Sequence, residues 1–183
     1  GVPIRFISPG SLDAWSLGQL WDAVVLTPEE QLVIDALHII EPGIERLAFV
    51  GTESPRLRRG GMMVKLAGAE GRIPLGSMGD GMRRFLSLAL LMTSAIDGVL
   101  LVDEIDTGLH FSVMSERWRL GVQTARRLNF QVIATTHSLD CVASLARLCE
   151  SSPEIGEDIS VHRIERLAKT SVSYSGIEIQ DAV

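Results

Sequence analysis

Lysine is almost absent from this sequence: Lys65 and Lys169 are the only two among 17 basic residues. Neither closes a G-x-x-x-x-G-K-S/T stretch. No such stretch occurs in the 183 residues, which excludes a self-contained phosphate loop of that kind. Cysteine is equally scarce, with two residues. Cys141 and Cys149 stand eight residues apart on one predicted helix, a separation of ~12 Å that excludes a disulfide between them. A reduced, cytoplasmic setting is expected, with both thiols read as small buried apolar groups. Long apolar runs are missing too: the longest uncharged stretch near the centre, 85–96, falls short of the ~20 residues of a spanning helix. The first residues show no basic segment leading into an apolar one, so no secretory signal is visible and no membrane partner is expected. Positive charge is in deficit. The net charge of −6 repels a polyanionic backbone and argues against nucleic-acid binding on electrostatics alone. Arg56, Arg58 and Arg59 form one basic cluster in a glycine-rich loop, readable as a solvated loop or as a phosphate or partner contact.

What remains is enough for one good core. With 46% hydrophobic and 22% charged residues over 183 positions, a single soluble domain is the expectation. The opening Gly1-Val2-Pro3-Ile4-Arg5-Phe6 reads as the middle of a longer chain. Residues 1–43 read as a helical opening segment. Its first helix, 11–26, takes Ser11 as N-cap and Asp13 in the first turn, with Trp15 and Trp21 in the core. Thr27-Pro28-Glu29-Glu30 then starts a second helix, 28–40, burying Leu32, Val33, Leu37, Ile39 and Ile40. Residues 44–75 read as a strand, 44–50, and a hairpin, 62–66 with 72–75, around a 68–71 turn. A long helix over 78–96 is apolar almost all round, which places it between layers. Val99–Val102 suits a buried parallel strand, followed by helix 112–128, strand 130–135 and helix 138–149. Residues 151–183 add strands at 159–166 and 171–174 and a last helical turn. The alternation predicts an α/β fold with a mostly parallel sheet, right-handed crossovers and flanking helices.

Three short segments of 76–150 carry the chemistry. Asp103 and Glu104 end the predicted buried strand, at the edge where α/β sheets bind ligands. Such a pair can hold Mg²⁺ through the first acid and orient or deprotonate a water through the second. It can also simply end a strand at the surface. Gly76-Ser77-Met78-Gly79-Asp80-Gly81 precedes the long helix. Ser77 and Asp80 spell an S/T-x-x-D/E capping box, while the glycines would let a phosphate approach the helix N-terminus. His137 in Thr135-Thr136-His137-Ser138 projects from the next strand's carboxyl edge, either to donate to a phosphate oxygen or as part of a helix start capped by Ser138.

In this order the segments resemble ABC-type ATPases. The runs Ser-Met-Gly-Asp-Gly-Met-Arg-Arg (77–84), Leu-Leu-Val-Asp-Glu-Ile-Asp-Thr-Gly-Leu-His (100–110) and Ala-Thr-Thr-His-Ser (134–138) resemble the AAA/OLD-like ATP-binding proteins, relatives of the SMC-type chromosome-maintenance ATPases. The resemblance is specific over about 74–150. It implies the C-terminal part of an ABC/SMC-like P-loop ATPase head that uses ATP and Mg²⁺. It further implies that Ser77 and Gly79 are signature-motif residues touching the γ-phosphate held by a second subunit. Asp103 would be the metal residue, Glu104 the catalytic base, Asp106 part of the loop at the dimer seam, and His137 the γ-phosphate sensor. Gly76 and Asp80 depart from the common Leu and Gln, and both fit the OLD-like subgroup. The family's phosphate loop lies near its N-terminus, so its absence here implies a further N-terminal segment. The implied partners are a second copy in a nucleotide-dependent dimer, that P-loop segment, and DNA or a defence system through other regions. Two rival readings stay open: a non-hydrolytic dimerisation or docking module, and a split ATPase whose phosphate loop sits on a separate chain.

Overall fold

The computed structural model describes residues 1–10, 12–51, 61–107, 114–164 and 171–183. The Ser11 cap, the Arg56, Arg58 and Arg59 cluster, residues 108–113 and the strand end at 165–166 lie outside the described residues. The chain groups into two compact units, Gly1–Gly108 with Ala125–Thr135, and Leu109–Thr124 with Thr136–Val183.

The first unit is built on a three-stranded parallel sheet. Its strands are β1 (Ile4–Ile7), β5 (Val99–Val102) and β6 (Gln131–Ala134), ordered β1-β5-β6. Register aligns Phe6 with Leu101 and Ile133, and Ile7 with Val102 and Ala134. The apolar run at 99–102 is therefore the central strand, with Leu100 and Val102 buried. The helical opening segment, 1–43, also carries a strand, β1, ahead of its two helices. Four residues are too few for an alternation to stand out, and only pairing with β5 defines the strand.

An antiparallel sheet, β2 (Ile44–Val50), β3 (Gly61–Leu66) and β4 (Arg72–Pro74), provides the other strands of this unit among the described residues, with the expected hairpin joining β3 to β4. Helices α1 (Ala14–Val24) and α2 (Pro28–His38) pack on α3 (Asp80–Thr93), and α3 also packs on β1. This explains why α3 is apolar on nearly every side. It lies between a helical layer and the parallel sheet, with Leu86 and Leu90 fully buried. Burying each such side chain contributes roughly 1.5–3 kcal/mol.

Several local expectations change. Asp13 is the N-cap of α1, its carboxylate accepting from the Trp15 and Ser16 amides. Trp21 is 2% exposed and lies in the core, whereas Trp15 is 67% exposed. The two positions lie six residues apart, so they face different sides of a 3.6-residue helix. In α2, Thr27 caps and Pro28 leads, as expected, but Ile34 and Ala36 join Val33 and Leu37 in the core. Leu32, Ile39 and Ile40 are only half-buried. The capping box at α3 does not form. Residues Leu75–Met78 make a 3₁₀ turn anchored by buried Leu75, and Ser77 Oγ donates to Pro74 O at 2.6 Å. Gly79 becomes the N-cap with φ +95°, a conformation open to glycine and strained for other residues.

The second unit holds most of α4 (Met114–Leu128), then α5 (Leu139–Ser151), the short α6 (Pro153–Gly156), and the antiparallel pair β7 (Ser160–Ile164) and β8 (Ser171–Ser175). A 3₁₀ turn, Ile179–Ala182, closes the chain. Leu145, Ala146, Cys149 and Ile179 form its core, with Trp118, Val142, Ile159 and Val161 packed against them. Cys141 and Cys149 are both buried and lie on one helix. No helix among the described residues is long and apolar enough to cross a membrane.

Candidate functional site

Because β1, β5 and β6 run parallel, Ser8, Asp103 and Thr135 follow them at one edge of the sheet. The ladder continues past the strand ends. Asp103 N–H donates to Ile7 O and Thr135 N–H to Val102 O, each at 2.9 Å. Asp103 and Glu104 thus stand, half-buried, at the carboxyl end of the central strand. In α/β sheets ligands bind outside that edge.

Thr135 joins the two acids. Its Oγ1 donates to Asp103 Oδ1 at 2.6 Å and accepts the Glu104 N–H at 2.9 Å. The Ile105 N–H donates to Thr135 O at 2.9 Å. Glu104 has φ +48°, an uncommon conformation for a residue with a side chain. Thr107 holds its other side: Thr107 Oγ1 donates to Glu104 Oε2 and Thr107 N–H to Glu104 O, each at 3.0 Å. Asp106 lies half-buried in the same turn.

Arg84 enters from α3. Its Nη2 donates to Asp103 O at 2.8 Å and Glu104 O at 2.9 Å. Its Nη1 donates to Ser8 O and, at 3.3 Å, to Gly10 O. Burial pushes the guanidinium below its ordinary pKa, while Glu104, then Asp106 and Asp103, draw it back up.

Asp103, Glu104 and Asp106 therefore share one turn. Ser77 and Gly79 are exposed at the start of α3, in the same unit. His137 is exposed in the stretch between β6 and α5 and belongs to the second unit, where Ser138 Oγ caps α5 by accepting the Cys141 N–H at 3.2 Å. The residues that sequence reasoning misses are Arg84 and Thr135. For Arg84 a signal exists: a charged side chain inside an otherwise apolar helix. For Thr135 there is none, since its partners become neighbours only when β5 and β6 pair.

Among the described residues no three His, Cys, Asp or Glu side chains converge as a metal cage. Mg²⁺ bound beside phosphates needs only one or two carboxylates, with water and phosphate oxygens completing the shell. Asp103, half-buried and oriented by Thr135, fits that donor set.

A parallel sheet with an acidic turn at the carboxyl edge of its central strand, backed by a buried helix, is the core of an ATPase-type α/β protein. Residues 31–142, 112 of the 183, match the family described as "AAA domain, putative AbiEii toxin, Type IV TA system", and the chain belongs to that family. Among solved structures it is similar to one described under "ATP-driven dimerization and DNA stimulated activation of SMC ATPases". That match has 16% identity and TM-score 0.52, and covers 84% of this chain and 89% of the other. It is also similar to an SmcHead bound to the C-winged helix domain of ScpA, at 17% identity and TM-score 0.54, covering 85% and 44%. A third is an Smc head domain from Pyrococcus furiosus bound to the C-terminal domain of ScpA, at 18% identity and TM-score 0.50, covering 84% and 35%. At these identities the likeness establishes the fold, and the chain spans less than half the length of the last two. No curated protein matches the chain.

Proposed function

We propose that residues 1–183 act as one domain, the C-terminal part of a dimerising, cytoplasmic ABC-type ATPase that transfers the γ-phosphoryl group of ATP to water. The observation that carries this reading is the braced acidic turn: Asp103 and Glu104 at the end of the central parallel strand, joined by Thr135. Family membership supports it, as do SMC relatives described in terms of ATP-driven dimerisation. Mg²⁺, held by Asp103, would neutralise charge on the phosphates. Glu104 orients the attacking water and takes its proton. Ser77 and Gly79 face the γ-phosphate of the partner subunit's ATP, Ser77 by turning its hydroxyl away from Pro74 O. Asp106 lies at the dimer seam, and His137 donates to a γ-phosphate oxygen. The phosphate loop comes from a segment outside these residues. DNA or a defence-system partner would be engaged through other regions.

The test is Glu104→Gln in a protein carrying both this chain and the phosphate loop. Turnover is expected to fall at least about 100-fold, as for loss of a general base. The variant should accumulate as an ATP-bound dimer in light scattering. Parental turnover in this variant would remove Glu104 as the base.

A further inference from the structure

α3 is buried nearly all round, yet it carries a guanidinium in its interior. Arg84 is 5% exposed, on a helix whose Met82, Phe85, Leu86 and Leu88 are buried too. A buried cation is unfavourable unless its donors are satisfied. Here four backbone carbonyls accept from its two terminal nitrogens. Nη1 reaches Ser8 O and Gly10 O just past β1, and Nη2 reaches Asp103 O and Glu104 O just past β5. One planar fork thus ties two adjacent strand ends to the helix. Packing alone does not call for this charge, since methionine would fill a similar apolar volume. Glu104, at φ +48°, holds a conformation that persists only where the surroundings over-determine it, and its carbonyl is one of the four acceptors.

We propose that Arg84 is a positioning residue for the acidic pair: through the Asp103 and Glu104 carbonyls it sets the turn that aims the Glu104 carboxylate. This rests on the ATPase reading of the same turn. Arg84 lies four residues into α3, about 6 Å along its axis. The helix that begins just after Ser77 and Gly79 is thereby fixed to the catalytic turn.

Arg84→Lys tests this, because it keeps the charge and the helix but replaces a fork with a single point of donation. Arg84→Met is the neutral comparison. By hydrogen exchange on the 183-residue chain, the Glu104 and Ile105 amides should exchange about tenfold faster in Arg84→Lys, with the β2–β3 ladder unchanged. In the intact ATPase, kcat should fall about 100-fold at unchanged KM for ATP, with Arg84→Met at least as impaired. Parental exchange and parental kcat in Arg84→Lys would refute the role. So would faster exchange throughout the first unit, which marks general stability, or a raised KM at unchanged kcat, which marks direct nucleotide contact. Glu104→Gln measured alongside separates the two claims. Full turnover there removes the base and with it the catalytic meaning of Arg84. Loss there without loss in Arg84→Lys removes the positioning role alone.

Discussion

Asp13 links the start of α1 to pH. Its carboxylate accepts from Ser16 Oγ at 2.7 Å and from the Ser16 and Trp15 amides at 3.0 and 2.9 Å. The Ser16 hydroxyl, then the Ser16 amide, hold its pKa below the ordinary carboxylate value. A carboxyl depressed in the folded state stabilises the fold above its unfolded pKa, about 3.9, and that contribution disappears as pH falls through the folded value. Asp13→Asn keeps a capping oxygen but takes up no proton. Its urea midpoint should therefore drop less than the parent's between about pH 5 and about pH 2. Equal drops would exclude Asp13 from the acid transition. Residues whose role lies in their neighbours along the chain were readable in this way. Asp103 and Glu104 stood out because an apolar run ends in them, and Thr27 because Pro28 and two acids follow. The partners of Arg84 and Thr135 are not, because they lie up to 76 and 32 residues away; for Arg84 only its charge within a largely apolar helix is visible. The capping box at Ser77 fails for a subtler reason. A correct capping-box spacing does not fix which residue is the cap when buried Leu75 winds the preceding turn first.

β5 is the element on which the others depend. It pairs on both sides, and Leu100 is fully buried at its middle. Leu100→Ala removes that side chain from a site bounded by two strands that cannot collapse inward, so about 2–5 kcal/mol of unfolding free energy should be lost. Chemical denaturation measures this. A loss within about 0.5 kcal/mol, the range of surface substitutions, would mean the sheet is not the centre of the fold. Long periodic segments gave their identity away: α2, α3, α4 and α5 all lie where spacing predicts, because burial on one or more faces imposes a 3.6-residue rhythm. β1 and α6 did not: each has four residues and, unlike the equally short β5, a charged residue in place of an unbroken apolar run. β1 matters most here, since Ile7 O and Ser8 O tie its end to Asp103 and Arg84. Gly98 shows the same long-range control. A Cβ there would run into Pro3 O, so the approach to β5 demands glycine for a reason that lies 95 residues earlier.

At the scale of the molecule, the acids of the proposed site come with a fold to hold them but without a cation loop to hold phosphate. Phosphoryl transfer is accelerated by positioning and by neutralising charge on the transferred group, and in the proposed reading the loop that cradles the phosphates is supplied by a segment other than these 183 residues. The net charge of −6 adds to the deficit, since a free nucleotide tetra-anion meets repulsion rather than steering. The purified 183-residue chain is therefore expected to release phosphate from Mg²⁺-ATP at the rate of buffer alone. A malachite-green assay over hours, with Glu104→Gln as the matched control, is sufficient to read it. Addition of the phosphate-loop segment, as a separate polypeptide or by fusion ahead of Gly1, should create turnover in the parent and not in Glu104→Gln. Turnover by the unassisted chain that needs Mg²⁺ and vanishes in Glu104→Gln would show that the phosphates are cradled by groups already in this fold, and the division of labour proposed for the two segments would be wrong.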